Sequence, residues 1–122
     1  MNALGTHLLL ELRECEAERL NDVGFIRTTM LDAAKDLGVT VLSHSFHKFA
    51  PQGVTGIIAI SESHFSIHTW PEYGYAALDI FTCGEGFDPT RAAKYIAEHM
   101  GAKRTEITEV KRGRLPAVVV AR

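Results

Sequence analysis

Residues 54 to 82 read VTGIIAISESHFSIHTWPEYGYAALDIFT, and they contain the predicted strands that decide the fold class. Three segments of this stretch are rich in β-branched and aromatic residues, which is typical of strands: 54–61, 66–70 and 75–82. The run PEYG at 71–74 predicts a turn, and APQG at 50–53 separates this stretch from a further predicted strand at 39–49. Two successive hairpins are therefore predicted.

The rest of the chain predicts one more strand at each end and two helices. HLLLEL at 7–12 indicates a first strand, and TEITEV at 105–110 indicates an exposed last strand. Apolar residues at three- and four-residue steps from about residue 16 to residue 37 predict one amphipathic helix that ends at Gly38. The Asp-Pro pair that opens segment 88–100 supplies an N-cap and a first-turn proline for a second helix.

This order, β-α-β-β followed by β-β-α-β, predicts an α+β fold. We expect a two-layer sandwich in which the helices cover one face of an antiparallel sheet, within a single domain spanning 1–122. The other face of the sheet then needs a partner, because 122 residues bury only a modest core.

Composition excludes several classes of protein. The formal net charge of −2 comes with no block of like charges, which argues against a nucleic-acid surface. No stretch is long and apolar enough for a membrane span, and Glu11 interrupts the apolar run near an N-terminus that lacks a basic flank. Without an export signal, the two cysteines, Cys15 and Cys83, are interpreted as reduced thiols. A cytoplasmic location is predicted.

The short stretch from residue 62 to residue 83 contains the parts of a self-made carbonyl cofactor. A seryl hydroxyl can attack the preceding carbonyl, and a base then breaks the resulting ester by removing the serine Cα proton. The chain splits, a ketone replaces the serine amine, and the new chain end is a pyruvoyl group. A pyruvoyl group can form a Schiff base with an amino acid and accept the electrons released on decarboxylation. In this scheme the carbonyl belongs to Glu62, the hydroxyl to Ser63, the processing base is His68, and Cys83 is a proton donor. Ser63 is expected in the short link between two strands, where a strained peptide would expose its carbonyl.

The spacing of these residues is weak evidence for this hypothesis, because a serine followed by a histidine five residues later is common. A free cysteine is also usually a small buried hydrophobic residue. A longer pattern supports it. The segment SESHFSIHTWPEYGYAALDIFTCGE at 61–85 resembles the processing and active-site segment of the short prokaryotic S-adenosylmethionine decarboxylases. GTHLLLELREC at 5–15 and SHSFHKFAPQGVTGIIAI at 43–60 are also similar to that family, so the resemblance covers most of residues 5–114.

The resemblance implies cleavage between Glu62 and Ser63 into a beta chain, 1–62, and an alpha chain, 63–122. It implies a pyruvoyl group from Ser63, processing assisted by His68, proton donation by Cys83, and no bound external cofactor. The expected reaction converts S-adenosylmethionine to S-adenosylmethioninamine, the aminopropyl donor for spermidine biosynthesis. The expected assembly is a homodimer of cleaved pairs that packs sheet against sheet, with active sites near the interface.

The resemblance also suggests substrate contacts. The family's pocket uses an aromatic residue near Phe49 for adenine, although aromatic residues in strands usually fill a core. Glu72 is a candidate for the ribose hydroxyls or the sulfonium charge, or else a solvated carboxylate in a turn. Thr55 lies where we expect the family often to have a serine that helps processing; threonine keeps the hydroxyl and adds a methyl group.

Several alternatives stay open from the sequence. His44, His47, His64 and His68 suggest a metal cluster, but His44 and His47 point to opposite faces of a strand and no cysteine pair accompanies them, so we expect no metal. A pyruvoyl decarboxylase of arginine or ornithine would use the same processing residues. An unprocessed non-catalytic relative or an ordinary α+β interaction protein are the other classes. No chemistry is assigned to the apolar tail at 115–122.

Overall fold

The fold is described from a computed structural model, which describes residues 3–84 and 86–115. Six strands form the sheet: β1 (Ala3–Arg13), β2 (Val41–Lys48), β3 (Val54–Ile60), β4 (Ser63–Trp70), β5 (Tyr75–Cys83) and β6 (Arg104–Arg114). Three α-helices accompany them: α1 (Ala17–Leu20), α2 (Val23–Leu37) and α3 (Pro89–His99). A short 3-10 turn, Pro71–Tyr73, joins β4 to β5.

The strands form one antiparallel sheet in the spatial order β2-β3-β4-β5-β1-β6. Both predicted hairpins are present, since β2 pairs with β3 and β4 pairs with β5. The chain order of strands and helices also matches the prediction. The α+β class with an antiparallel sheet is therefore confirmed.

Alternation along the strands divides the sheet into two different faces. One face carries the large buried side chains, including Leu8 and Leu10 of β1, Phe65 of β4 and Ile80 of β5, and it packs with Met30 of α2 in one hydrophobic core. No α-helix packs on the opposite face, which we call the open face, among the described residues, and there Leu9 and Ile57 are 43% and 47% exposed. The open face therefore carries apolar side chains that remain partly exposed in the single chain.

The prediction of one helix from residue 16 to residue 37 is wrong, because the chain forms α1 and α2 with a break at Asn21 and Asp22. Asp22 has extended backbone angles, and its carboxylate accepts a hydrogen bond from the Phe25 N–H at 3.0 Å, so it caps α2. The Asn21 amide oxygen accepts the Gly53 N–H at 3.0 Å. Polar side chains that bind backbone groups have interrupted an otherwise continuous apolar stripe.

The predicted position of Ser63 in the link between strands is also wrong. Ser63 is the first residue of β4 and pairs with Ile60, so the link contains only Ser61 and Glu62. The first and last strands, β1 and β6, extend beyond their predicted ranges, because they pair with each other along their whole length. No helix among residues 3–84 and 86–115 has the length and apolar character to cross a membrane. Most of the 115–122 tail lies outside the described residues.

Candidate active site

Ser63 and Cys83 meet at one end of the neighbouring strands β4 and β5. The Ser63 Oγ lies 3.6 Å from the Cys83 Sγ, and both residues are half-buried. Gly5 of β1 lies opposite Cys83, and a Cβ atom there would come within 2.8 Å of the Thr82 carbonyl oxygen and 3.1 Å of the Cys83 Sγ. The absence of a side chain at residue 5 therefore leaves room for the thiol.

The residue preceding Ser63 has a backbone conformation that is strained for a residue other than glycine. Glu62 has a φ of 74°, in the left-handed region that non-glycine residues seldom adopt. It is the second residue of a two-residue turn, and its carbonyl belongs to the bond that would break. A hydroxyl, an adjacent carbonyl in a constrained turn and a nearby thiol fit the formation of a pyruvoyl group at residue 63.

His68, predicted to be the processing base for Ser63, does not lie near it within the chain. Both residues belong to β4, and five residues of extended strand separate them by about 16 Å. The His68 Nδ1 instead lies 3.1 Å from the Thr55 Oγ1 on the neighbouring strand β3. The structure thus brings together His68 and Thr55 at one position, and Ser63 and Cys83 at another.

The predicted substrate contacts lie with His68 rather than with Ser63. Phe49, Glu72, Thr55, His68 and Trp70 line a cavity of about 360 Å³, together with Gln52, Gly53 and Thr69. Trp70 lies two residues after His68 on the same face of β4, which accounts for its place in this cavity. An aromatic pair and a carboxylate suit a ligand that combines a flat ring with hydroxyl groups or a positive charge.

A second cluster on the open face was missed by the sequence analysis. The Asp79 Oδ2 lies 2.6 Å from the His7 Nε2 and 2.9 Å from the His64 Nε2, and the Ser66 hydroxyl donates to the other carboxylate oxygen. Arg112 donates to the His7 Nδ1 at 3.0 Å. Burial alone would raise the pKa of Asp79, but the hydrogen bonds from Ser66, His64 and His7 outweigh it and lower that pKa. The alternation of side chains along β1, β4 and β5 shows that these residues share one face of the sheet. Predicting that they meet also requires the register between the strands, which the sequence does not provide.

The geometry of this cluster also bears on metal binding. The ligand atoms of His7, His64 and Asp79 lie within 4.8 Å of one another, a spacing compatible with a metal ion. Arg112, however, only donates, so the His7 Nδ1 must accept and its Nε2 must carry the proton toward Asp79. A metal-bound histidine normally donates from its second nitrogen, which Arg112 opposes. The cluster is therefore a satisfied hydrogen-bond network.

The two cysteines differ in environment, and this difference predicts their reactivity. Burial raises the pKa of Cys15 to about 11, whereas Cys83 is half-buried at the end of β5. At pH 8 an ordinary thiol with a pKa of about 8.5 is roughly one quarter thiolate, and a pKa near 11 leaves roughly one part in a thousand. We expect iodoacetamide to modify Cys15 of the native protein at least about 100-fold more slowly than an ordinary thiol.

Peptide masses after timed alkylation will measure this difference. Cys83 should be labelled first, and both cysteines should react at similar rates in denaturant. Simultaneous labelling in the native protein would contradict the burial of Cys15.

Comparison with solved structures places this sheet and its helices in a known fold. The crystal structure of the adenosylmethionine decarboxylase from Aquifex aeolicus superposes with a TM-score of 0.89 at 35% sequence identity, covering 96% of this chain and 97% of that chain. The chain thus has the α+β fold of that decarboxylase.

Sequence comparison defines the family. The model of the S-adenosylmethionine decarboxylase family matches residues 6–113. The S-adenosylmethionine decarboxylase proenzyme of Thermodesulfovibrio yellowstonii is 51% identical over 93% of this chain and 84% of its own length. The proenzyme of Geobacillus kaustophilus is 50% identical over 98% of this chain and 95% of its own length. The chain belongs to the S-adenosylmethionine decarboxylase family, which confirms the resemblance drawn from its sequence.

Proposed function

We propose that this chain is a proenzyme that cleaves itself between Glu62 and Ser63 and then decarboxylates S-adenosylmethionine. The observation that carries the proposal is the contact of 3.6 Å between the Ser63 hydroxyl and the Cys83 thiol beside the left-handed Glu62. Relatives named as proenzymes of this reaction, at about 50% identity, support it. Processing yields a beta chain of residues 1–62 and an alpha chain of residues 63–122.

The separation of His68 from Ser63 leads to a composite site. About 16 Å of strand lies between them, so the His68 of one chain cannot act on its own Ser63 without unfolding β4. The open face, with exposed Leu9 and Ile57, suits sheet-to-sheet packing, in which facing sheets lie about 10 Å apart. In an isologous dimer, a two-fold axis crossing the middle of β4 lays its His68 end over the Ser63 end of the partner strand.

Each dimer then contains two equivalent sites, and every site uses both chains. One chain supplies Ser63 and Cys83, while its partner supplies the His68 imidazole with the Thr55 hydroxyl hydrogen-bonded to it. The imidazole acts as the base that takes a proton during self-cleavage, and Thr55 orients the ring through the Nδ1 contact. Thr55 thereby takes the position at which a serine is expected in the family.

The residues of the cavity bind the substrate around the reactive end. Phe49 and Trp70 offer aromatic faces for the adenine ring, and Glu72 offers a carboxylate to the ribose hydroxyls or the sulfonium. A pyruvoyl group at residue 63 would supply a ketone for condensation with the substrate amine and a sink for the electrons released with CO₂. The Cys83 thiol would donate a proton to the substrate Cα after CO₂ leaves. Hydrolysis of the bond to residue 63 would then free the product, S-adenosylmethioninamine, the aminopropyl donor for spermidine biosynthesis.

The alternative substrates arginine and ornithine are not favoured. An aromatic pair in the cavity suits adenine, and the relatives are named for S-adenosylmethionine. The reduced thiols Cys15 and Cys83 support a cytoplasmic location.

The experiment that tests the function is the intact mass of the purified protein under denaturing conditions, with and without a carbonyl-reactive reagent. We expect two fragments that meet at Glu62 and Ser63, with only the later fragment labelled by the reagent. Release of CO₂ from carboxyl-labelled S-adenosylmethionine then tests the reaction. A single unlabelled full-length chain in an active preparation would overturn the proposal.

Replacement of Cys83 separates processing from turnover. The Cys83→Ala variant should still cleave, because Ser63 and the partner's base are intact, but its turnover should fall at least about 100-fold without the proton donor. The matched control is Cys15→Ala, which removes the buried thiol in the hydrophobic core and should leave turnover close to that of the unaltered protein. Mass spectrometry measures cleavage, and CO₂ release measures turnover. Full activity in Cys83→Ala would assign the proton donor elsewhere.

A further inference from the structure

Self-cleavage would break the peptide connection that helps to fix the position of residue 63. Before cleavage, the turn formed by Ser61 and Glu62 ties Ser63 to Ile60 on β3. After cleavage residue 63 is a chain end, and as a pyruvoyl group it has no backbone N–H with which to pair with β3. Chain ends of strands fray unless other contacts hold them. Backbone pairing with β3 and β5 then holds β4 from His64 onward, so contacts next to residue 63 decide whether the reactive group stays beside Cys83.

His64, the residue next to the new chain end, makes such a contact. Its Nε2 lies 2.9 Å from the Oδ2 of Asp79, which belongs to the neighbouring strand β5. Asp79 and Cys83 are four residues apart on the same face of β5, so a link from β4 to Asp79 also fixes β4 relative to the thiol. Asp79 itself is held from the other side by His7 of β1 at 2.6 Å.

We propose that Asp79 is a positioning residue that, through His64, holds the cleaved end of β4 in register with Cys83. This inference rests on the proposed self-cleavage, but it concerns residues with no role in that step. The intact turn makes the Asp79 link redundant before cleavage, and the loss of the turn makes it necessary afterwards. The substitution Asp79→Asn should therefore affect the cleaved protein more than the uncleaved one.

The test compares Asp79→Asn in two backgrounds, the self-cleaved protein and the uncleavable Ser63→Ala chain. Hydrogen exchange of the amides of residues 64–67 is measured in each. Loss of a hydrogen bond to a charged group raises the equilibrium constant for local opening of the strand roughly 10- to 100-fold. We expect exchange to accelerate at least about tenfold in the cleaved background and less than about twofold in the Ser63→Ala background.

A matched control distinguishes this role from a general contribution to stability. His7→Ala removes another hydrogen bond to the same Asp79 oxygen, but it links β1 rather than β4. It should change the exchange of residues 64–67 by the same factor in both backgrounds. In steady-state assays of the cleaved protein, Asp79→Asn should lower kcat at least about tenfold and leave KM within about twofold, because Asp79 does not line the cavity with Phe49 and Glu72.

The outcomes separate the inference from the proposed function. Equal acceleration of exchange in the two backgrounds overturns the positioning role, even where cleavage itself is normal. Absence of cleavage in the unaltered protein overturns the proposed function instead. If Asp79→Asn does not fold, His64→Ala removes the same link from the other side, and it must show the same difference between the backgrounds for the inference to stand.

Discussion

The Ser63→Ala variant is expected to remain one uncleaved chain of 122 residues, with no carbonyl for a reagent to label. Alanine lacks the hydroxyl that attacks the Glu62 carbonyl, and no other group on the chain can become the ketone at this position. The effect is complete rather than partial, since both the cofactor and the new chain end depend on one oxygen atom. Intact mass under denaturing conditions measures it directly.

The chain offers a close control in the same turn. Ser61 lies two residues before Ser63, is exposed and belongs to the link between β3 and β4. Ser61→Ala should cleave as the unaltered protein does. A seryl hydroxyl attacks the carbonyl of the residue before it, and Glu62 comes after Ser61. Cleavage of Ser63→Ala after Glu62 would remove the serine from the mechanism. Loss of cleavage in both variants would mean that substitution in this turn disturbs its conformation, and would not assign the reaction to the Ser63 hydroxyl.

A mixed dimer of Ser63→Ala and His68→Ala chains is expected to regain cleavage of one of its two chains. Ser63→Ala cannot cleave, and His68→Ala should cleave at least about 100-fold more slowly without its base. In a dimer of one chain of each kind, the His68→Ala chain still has Ser63 and Cys83, and it faces the intact His68 of its partner. That chain should be cleaved, while the Ser63→Ala chain stays whole.

Two affinity tags, one on each variant, allow the mixed dimer to be isolated and its masses measured. If His68 acted on its own chain, neither chain in the mixed dimer would be cleaved, and the composite site would be wrong. Ser63→Ala combined with Cys83→Ala provides the control. Those residues belong to the same half of the site, so the mixed dimer should cleave one chain and still show no turnover.

The fold was largely predictable from local patterns. Strand composition and turn residues gave both hairpins, and Asp88 accepts the Thr90 N–H at 3.1 Å as the predicted N-cap of α3. The break between α1 and α2 was not predictable, since it depends on Asn21 binding the backbone of Gly53, a residue 32 positions away. Tertiary hydrogen bonds of this kind leave no periodic signal in the sequence.

The site was predictable in its parts but not in its arrangement. Ser63 and Cys83 were named from residue type and resemblance, and the register of β4 on β5 brings them together. The same linear spacing suggested that His68 lies near Ser63, yet an extended strand separates residues that are five positions apart. The Asp79 cluster needed three strands to be aligned, which sequence spacing does not provide.

The strand order has a consequence for the two products of cleavage. Residues before the cut form β1, β2 and β3, and residues after it form β4, β5 and β6. In the order β2-β3-β4-β5-β1-β6, the two groups interleave and share three boundaries: β3 with β4, β5 with β1, and β1 with β6. If the chain cleaves itself as proposed, the two fragments would therefore stay associated through three shared strand boundaries. Once unfolded, the two fragments would have to find each other again, so the proposed cleavage would change refolding from a unimolecular into a bimolecular, concentration-dependent reaction.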